Sequence, residues 1–493
     1  MTATATPSAA VATRSALPTY LVAAEAVLAA VLMSYTLGRQ SLWFDETATA
    51  ALVHRSLWSA IRYAVANEPM TSLYLLVLRT WSLPFGESEV ALRSFSVIFG
   101  VALVPAMYAL TARLFTDRTA LVAGLLTAVS ATVVAEAQQA RQYALVLLLV
   151  ALATLCFVRA VEIGTQQSWL LYALVAAVAV YAQILVLFVV AGHALSLLAL
   201  QKSDVRWRSV LVAAGGFTLA MIPLFAAILR RGGSGLDWIK PVTWARVQHT
   251  FEMFAGGTGY LLLAALVACA FAFRAALRTW AHSGRGIDAW RYTLLITWLF
   301  VPMIGILLVS FVRPLFVNRY MIGALPAFVI LTAAGITAMR PRQLAAGYLV
   351  ALVVLSAVVL VDWLGSDTTT AHTGVPREDW RGAVTYVLAH AGSGDAVVVQ
   401  PRHLETAWEY YFRRHGSPRD APVLALGGPF EDFADDQRVR SISERHDRVW
   451  LVMSHLNSKE RRHVLANFGA RYDHAARHRF TGRIDVLRHD ARD

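Results

Sequence analysis

Two adjacent acids, Asp45 and Glu46, follow the aromatic segment Leu42-Trp43-Phe44 in a loop between two apolar segments. Paired acids at the start of a helix commonly complement the helix dipole and cap free N–H groups. Capping does not require aromatic, water-poor surroundings, whereas a general base is favoured by them. We therefore predict that Asp45 acts as a general base and that Glu46 assists it.

Two other polar segments carry an arginine close to a tyrosine. Arg141 and Tyr143 stand at the end of one apolar segment, and Arg319 and Tyr320 stand at the end of another. Each arginine by itself is equally typical of an anchor at a membrane interface. Together with the acids they predict one phosphate site, because guanidinium groups hold phosphate oxygens through paired hydrogen bonds.

These residues must be positioned by helices in a membrane, because 57% of the 493 residues are hydrophobic and only 15% are charged. Apolar runs of about twenty residues, long enough to cross the hydrocarbon core as a helix, recur along the first three quarters of the chain. We predict eleven membrane-spanning helices, near residues 17–38, 88–112, 119–135, 142–159, 168–183, 184–200, 209–229, 258–276, 292–312, 320–338 and 343–363. The first is too long for a signal-peptide core, so we expect it to be retained.

One part of this assignment has an alternative. Residues 168–200 form a long apolar run that only Tyr181 and Gln183 interrupt. The run predicts a tight helical hairpin, and a single tilted helix is the alternative. The choice matters because one span fewer would reverse the orientation of every later segment.

Cations in alternate loops indicate the orientation of the chain. The loops that we interpret as cytoplasmic contain Arg113/Arg118, Lys202/Arg206/Arg208, Arg274/Arg278/Arg285/Arg291 and Arg340/Arg342. The opposite loops also hold arginines, but they are longer and carry acids. We predict a multi-pass protein of the plasma membrane with its N-terminus inside, its C-terminus outside and its candidate site residues on the outer face.

The first outer loop, about residues 39–87, is long and not simply polar. It mixes Trp58, Tyr63, Tyr74 and Trp81 with leucine, valine and alanine. Such a mixture predicts helices that lie in the interface plane, directly above the end of the first span.

The composition changes after residue 364, where the chain becomes rich in Arg, Asp and His. Short apolar runs there alternate with helix-like segments, as in a small α/β domain. The apolar runs are 395–400, 449–453 and 484–487, and the helix-like segments include 380–390 and 459–468. We predict a transmembrane domain over residues 1–364 and an extracytoplasmic α/β domain over 365–493, joined at 365–368. Its histidines are spread through charged sequence and are predicted to lie at the surface.

The net charge of +12 would suggest a nucleic-acid partner in a soluble protein. Here the cations lie in short loops between helices, where orientation and lipid phosphate explain them, and no basic run is interleaved with aromatic residues. We predict membrane lipid and no nucleic acid as partners. Cys156 and Cys269 lie inside apolar segments, which favours buried thiols over a disulfide or metal site.

Three motifs occur in order along the chain: Leu-Trp-Phe-Asp-Glu at 42–46, Gln-Ala-Arg-Gln-Tyr at 139–143, and the segment from Asn318 to Pro326. With them, residues 20–340 resemble the C-type (GT-C) polytopic membrane glycosyltransferases related to protein O-mannosyltransferases and lipid A aminoarabinose transferases. The Asp-Glu signature is the most specific part of the resemblance. The Ala/Val/Arg-rich chain also resembles actinobacterial members that build cell-envelope glycans or glycolipids.

The resemblance implies an inverting glycosyltransferase that moves one sugar from a polyprenyl-phosphate donor on the outer side of the membrane. The acceptor would be a cell-envelope glycan, glycolipid or protein, whose hydroxyl Asp45 would deprotonate while Glu46 orients the acceptor or assists. Arg141 and Arg319 would stabilise the charge on the leaving lipid phosphate, and their neighbouring tyrosines would position them or donate hydrogen bonds. No second carboxylate is needed as a nucleophile.

Two departures from the family pattern leave the use of a metal open. Many relatives read Gln-Glu-Ala-Arg where this chain has Gln-Gln-Ala-Arg at 138–141, so a carboxylate that could bind a metal or orient the arginine is absent, with Glu136 as a substitute one turn away. Relatives often carry His-Pro-Pro-Leu-Tyr in the first outer loop, where this chain reads Asn-Glu-Pro-Met-Thr-Ser-Leu-Tyr at 67–74. We predict no certain cofactor, with a divalent cation as the alternative.

Two other functions fit part of the sequence, namely a lipid-linked sugar flippase or transporter and a non-catalytic scaffold for envelope assembly. Transporters place charges near the bilayer midplane and are commonly built from repeated halves. No convincing repeat is visible here, and apart from Arg93 the charged residues cluster at outer helix ends. The enzyme hypothesis requires Asp45, Arg141 and Arg319 to meet in one site.

Overall fold

The computed structural model describes residues 17–67, 71–231, 239–365, 377–415, 423–424 and 436–492. Residues 17–365 form a bundle of apolar helices, and the later residues form a small sheet flanked by helices. The helices of the bundle are α1 (Leu17–Ser34), α2 (Phe44–Val53), α3 (Leu57–Asn67), α4 (Ser72–Phe85), α5 (Glu89–Leu114), α6 (Asp117–Ala128), α7 (Ala131–Ala137), α8 (Tyr143–Ile163), α9 (Gln166–Ala182), α10 (Val186–Ser196), α11 (Trp207–Arg231), α12 (Trp244–Ala255), α13 (Gly259–Ser283), α14 (Ile287–Ser310), α15 (Leu325–Ala338) and α16 (Arg342–Gly365).

Most of these helices can cross a membrane, as their composition predicts. Among the described residues, eight are long and apolar enough, namely α1, α5, α8, α11, α13, α14, α15 with the 3₁₀ turn that precedes it, and α16. The helices α6 and α7 pass the same test as a pair bent by 56°. Together with the shorter apolar helices α9 and α10, these helices coincide with the eleven predicted segments. The predicted polytopic helical membrane fold is therefore confirmed.

The hairpin predicted within residues 168–200 is present. Helix α9 ends at Ala182, Gln183 adopts an extended conformation, and α10 begins at Val186. The side-chain amide of Gln183 donates to the carbonyl of Tyr320 at 3.3 Å. The turn of the hairpin therefore lies beside the segment that carries the second predicted arginine–tyrosine pair.

The first long loop is helical, as its mixed composition predicts, and consists of α2, α3 and α4. Residues 68–70, within the segment that departs from the family pattern, lie outside the described residues. Tyr74 is fully buried, and its hydroxyl is 2.8 Å from that of Ser96 on α5. This contact fixes α4 against the membrane bundle.

Glycines allow two close helix contacts in the bundle. A Cβ atom at Gly335 of α15 would lie 1.8 Å from the carbonyl oxygen of Ala268 on α13, and one at Gly192 of α10 would lie 2.8 Å from that of Thr297 on α14. Small residues permit such approaches between helices whose surfaces would otherwise have equal affinity for lipid. The contact at Gly335 holds α15, and with it the preceding residues 318–324, against α13.

The C-terminal part has the predicted α/β pattern. Its elements are α17 (Trp380–His390), β1 (Ala396–Gln400), α18 (Glu405–Arg414), β2 (Val423–Leu424), α19 (Asp436–Ser443), β3 (Arg448–Met453), α20 (Ser458–Gly469), β4 (Tyr472–Phe480) and β5 (Ile484–Ala491). The strand order is β2-β1-β3-β5-β4, with β2, β1 and β3 parallel and β3, β5 and β4 antiparallel. Apart from Gly365, the predicted joint at 365–368 lies outside the described residues.

Contacts join this part to the start of the bundle. The hydroxyl of Tyr411 on α18 donates to the Glu89 carboxylate at 2.5 Å and accepts the N–H of Leu42 at 2.6 Å. The Tyr410 hydroxyl donates to the carbonyl of Glu87 at 2.9 Å, and Arg381 pairs with Glu89. The α/β part is thereby held against the segment that leads into α2.

Candidate active site

The first turn of α2 carries both predicted acids. Trp43 is extended, the helix starts at Phe44, and Asp45 and Glu46 follow at its positively polarised end. The Glu46 carboxylate accepts the N–H of Trp43 at 3.3 Å, so the capping explanation is right for this residue. The side chain of Asp45 makes no such bond and is 17% exposed.

The two predicted arginines meet at Asp45. One carboxylate oxygen of Asp45 lies 3.1 Å from an Nη of Arg319 and 3.7 Å from an Nη of Arg141. Arg141 also donates to the carbonyl of Asp45 and to the hydroxyl of Thr49, each at 3.3 Å. Three residues that are far apart in the sequence therefore form one partly exposed cluster of charge.

Each arginine is delivered by a short non-helical segment at the end of a span. Arg141 lies between α7 and α8, where the N–H of Ala140 donates to Glu46 at 2.8 Å. Arg319 lies in the 3₁₀ turn at Asn318–Ala324, before α15. Its guanidinium carbon is 5.1 Å from the centre of the Trp43 ring, a cation–π contact that limits its orientation.

The predicted tyrosines occupy different places in the cluster. Tyr143 is fully buried, and its hydroxyl has no hydrogen-bond partner among the residues that the structure describes. The Nε atom of Arg319 is likewise buried and unpaired. Tyr320 is only partly buried, and its carbonyl accepts from Gln183. Buried donors without partners are uncommon in proteins, and here they are available to an anion bound beside Arg319.

Glu46 does not take the place predicted for a residue that orients an acceptor. It is fully buried, and its two oxygens accept from Arg93 Nε at 2.8 Å and Arg93 Nη2 at 2.6 Å as well as from two backbone N–H groups. This burial disfavours direct contact of Glu46 with an acceptor, because both of its oxygens already accept hydrogen bonds. Glu46 instead fixes Ala140, the neighbour of Arg141, relative to Asp45.

Arg93 was not predicted as a site residue. It also donates to the carbonyls of Leu37, Gln40 and Ser41 at 2.8–3.1 Å, which ties the chain before α2 to α5. Its position within an apolar span is the signal that could have identified it, because a charge at that depth requires a partner.

A small cavity lies behind this ion pair. It has a volume of about 20 Å³ and is lined by Trp43, Glu46, Arg93, Gln139 and other residues. This space holds about one water molecule and is too small for a sugar. Substrates must therefore approach Asp45 from its exposed side.

Among the residues that the structure describes, the side chains around Asp45 do not fit a divalent cation. Asp45 already faces two guanidinium groups, and Gln139 donates to the buried carboxylate of Glu136 at 2.7 Å. No group of three or more His, Cys, Asp or Glu side chains suitable for a metal occurs in the described part of the chain. We derive no step through a metal.

The α/β part also reaches the site, which the sequence did not indicate. Glu378 accepts the N–H of Phe44 at 3.0 Å and the indole N–H of Trp380 at 2.8 Å. Its other oxygen is 2.7 Å from Nε2 of His455, whose side chain is 38% exposed. One histidine predicted to lie at the surface is thus part of the wall beside Asp45.

The protein is a polytopic membrane protein with the GT-C fold. Three features define this class: the helical bundle, the acid that follows its first span, and the small α/β part. In agreement with this, residues 68–229 match the family model of the dolichyl-phosphate-mannose-protein mannosyltransferases. The matched region contains Arg141 but neither Asp45 nor Arg319. A comparison with curated protein sequences finds no match.

Solved structures show the same fold over nearly the whole chain. The apo form of ArnT from Cupriavidus metallidurans aligns with a TM-score of 0.58 at 14% identity, covering 95% of this chain and 97% of that one. The same protein bound to undecaprenyl phosphate gives 0.55 at 13% identity, covering 96% and 98%. The apo oligosaccharyltransferase of Archaeoglobus fulgidus gives 0.52 at 11% identity, covering 89% and 70%. The comparisons show the GT-C fold, as the motifs predict.

Proposed function

We propose that the protein is an inverting glycosyltransferase that moves one sugar from a polyprenyl-phosphate donor to a hydroxyl group of a cell-envelope glycan, glycolipid or protein. We place the reaction and the α/β part on the outer face of the plasma membrane. The contact of Asp45 with both Arg141 and Arg319 carries the proposal. It joins a base to two phosphate-binding cations, which neither a scaffold nor a flippase needs.

In the proposed reaction, Asp45 takes the proton of the acceptor hydroxyl. The acceptor oxygen attacks the anomeric carbon of the sugar from the side opposite the phosphate, and the bond between that carbon and the phosphate oxygen breaks. Polyprenyl phosphate leaves with the bonding electrons. Arg141 and Arg319 stabilise the charge that develops on it, at positions fixed before the reaction starts.

The ion pairs of Asp45 have a second role in this mechanism. In the ligand-free protein the guanidinium groups of Arg141 and Arg319 both face the Asp45 carboxylate. A donor phosphate would compete for the same guanidinium groups and would be held further by the unpaired Tyr143 hydroxyl and Arg319 Nε. Donor binding would then draw the guanidinium groups away from Asp45 and leave its carboxylate free to face the acceptor hydroxyl.

An apolar groove supports a lipid-linked donor. It has a volume of about 400 Å³ and lies between α10 and α11, lined by Leu187, Phe217, Met221, Phe225 and neighbouring residues. The hairpin turn at Gln183, which contacts Tyr320, lies four residues before Leu187 in the sequence. A polyprenyl chain with its phosphate at Arg319 could enter this groove. Relatives of the same fold were solved with undecaprenyl phosphate and with dolichol phosphate.

The test combines a donor panel with one variant. Purified protein is incubated with polyprenyl-phosphate sugars, starting with mannose, and with membrane acceptors, and a mass increment of one sugar is sought. Asp45→Asn should lower turnover by about 10²- to 10⁴-fold, the usual contribution of a general base, while polyprenyl-phosphate binding is retained or tightened. Asp288→Asn, which changes an exposed carboxylate at the start of α14, is the matched control. Near wild-type turnover of Asp45→Asn would refute the base assignment.

A further inference from the structure

His455 has a backbone conformation that side chains other than glycine rarely adopt. Its φ of +57° lies in the left-handed region, where histidine is tolerated better than most residues. Such conformations persist where surrounding contacts require them and are frequent at functional sites. The contact here is with Glu378, whose carboxylate is 2.7 Å from His455 Nε2 and 2% exposed.

Glu378 connects this histidine to the catalytic helix. Its second oxygen accepts the N–H of Phe44, the residue before Asp45, and its backbone carbonyl accepts the Ser41 hydroxyl. A carboxylate at the first N–H of α2 is favoured by the helix dipole. A carboxylate as buried as this one also requires a positive partner, which His455 supplies.

The charged groups around His455 come from separate elements. Glu378 precedes α17 and Asp45 lies on α2, close enough for its charge to act on the imidazole. The centre of the Phe44 ring is 6.1 Å from that of His455 and 5.0 Å from that of His403, with edge-on geometry in both pairs. His403 lies just before α18 in the sequence. Nδ1 of His455 makes no hydrogen bond in the described part of the chain.

We propose that Glu378 and His455 are positioning residues for glycosyl transfer, in which the ionised pair fixes the first turn of α2 and holds Asp45 in register with Arg141 and Arg319. This proposal rests on the proposed function. It gives the α/β part a direct role in the reaction, because Glu378 and His455 both belong to it. Neither residue touches the reacting atoms through the contacts described, so they act through Asp45.

The pair has a defined pH dependence. Burial alone would lower the pKa of His455, but the hydrogen bond and charge of Glu378, together with Asp45, raise it. The imidazolium is therefore present at acidic pH, and it is lost as the pH rises past the ordinary histidine pKa of about 6.5 and through the raised one. As the imidazolium is lost, the Glu378–His455 pair should hold Asp45 less firmly in position, and transfer should slow.

The experiment compares His455→Gln with the full wild-type chain in detergent. Glutamine keeps an N–H donor for Glu378 but cannot carry charge. We expect kcat below about pH 6.5 to fall about 10-fold, the difference between a charged and a neutral hydrogen bond. The alkaline decline should disappear, and binding of polyprenyl phosphate should be unchanged. His455→Lys should restore kcat and extend it to higher pH. His54→Gln, in the exposed His54–Glu87 pair, should leave the profile unchanged.

Two results would overturn the positioning proposal. One is a wild-type pH profile in His455→Gln, and the other is a failure of His455→Lys to restore kcat when phosphate binding is intact. If the wild type transfers no sugar, the proposed function fails, and carbodiimide labelling of Asp45 then decides the positioning separately. Labelling of Asp45, read as a peptide mass increment, should change in His455→Gln and not in His54→Gln; equal labelling in all three proteins would exclude a link between His455 and Asp45.

Discussion

The buried pair of Glu46 and Arg93 permits a prediction with a definite size. Glu46→Gln keeps the shape of the side chain but removes its charge and leaves the Arg93 guanidinium, 6% exposed, without its carboxylate. Removing one partner of a buried ion pair destabilises a protein by about 3–5 kcal/mol. Three backbone carbonyls still accept from Arg93, so we expect the lower end of this range, about 3 kcal/mol.

The free energy of unfolding, measured by denaturant titration of the purified chain in detergent micelles, provides the assay. The matched control is Glu87→Gln, whose carboxylate pairs with His54 while both side chains are 31–53% exposed. Such an exposed pair contributes no more than about 1 kcal/mol. The double change of Glu46→Gln with Arg93→Gln should be less destabilising than the sum of the single changes, because no uncompensated charge remains.

Turnover should fall together with stability in Glu46→Gln, because the carboxylate also holds the N–H of Ala140 next to Arg141. A loss of less than about 1 kcal/mol, no greater than that of Glu87→Gln, would refute the reasoning about a buried pair. If Glu46→Gln lost the expected free energy of unfolding but kept its turnover, the link from Glu46 to the position of Arg141 would be refuted.

Three further predictions concern the phosphate site and the α/β part. Arg319→Ala should weaken polyprenyl-phosphate binding by about 10- to 100-fold, because charged hydrogen bonds are lost. Arg291→Ala, at an exposed ion pair on α14, should leave that binding unchanged. Unchanged binding in Arg319→Ala would mean that Arg319 is only a membrane anchor. Tyr143→Phe should leave the free energy of unfolding of the ligand-free protein unchanged or slightly higher, because the Tyr143 hydroxyl has no partner among the described residues. Phosphate binding, measured by titration calorimetry, should weaken several-fold. A lower free energy of unfolding with unchanged phosphate binding would exclude a ligand role. Burial would raise the pKa of Asp485, but hydrogen bonds from Arg461, Arg477 and Arg479 lower it. Hydrogen-exchange protection factors in β5, which are corrected for the intrinsic pH dependence of exchange, should therefore decrease as the pH falls below about 4, and Asp485→Asn should remove that acid sensitivity.

Local sequence patterns determined the elements of this protein. Runs of about twenty apolar residues fix membrane helices because no other structure satisfies backbone groups in lipid. The polar interruption at Gln183 marked the turn of the hairpin, and short apolar runs after residue 364 marked β1, β3 and β5. The motif order also placed Asp45, Arg141 and Arg319 at the ends of spans, which made their meeting a specific expectation.

The tertiary structure alone decided what each side chain contacts. Asp45 and Glu46 are adjacent and chemically alike, yet one faces the exposed cleft and the other is sealed against Arg93. Their difference depends on which side of α2 faces Arg93 on α5, which no local pattern records. Likewise, Glu378 and His455 reach α2 only because the α/β part docks beside it. Hydrophobic periodicity specifies which segments are helices, whereas the partners of a buried charge are set by the packing of segments distant in sequence.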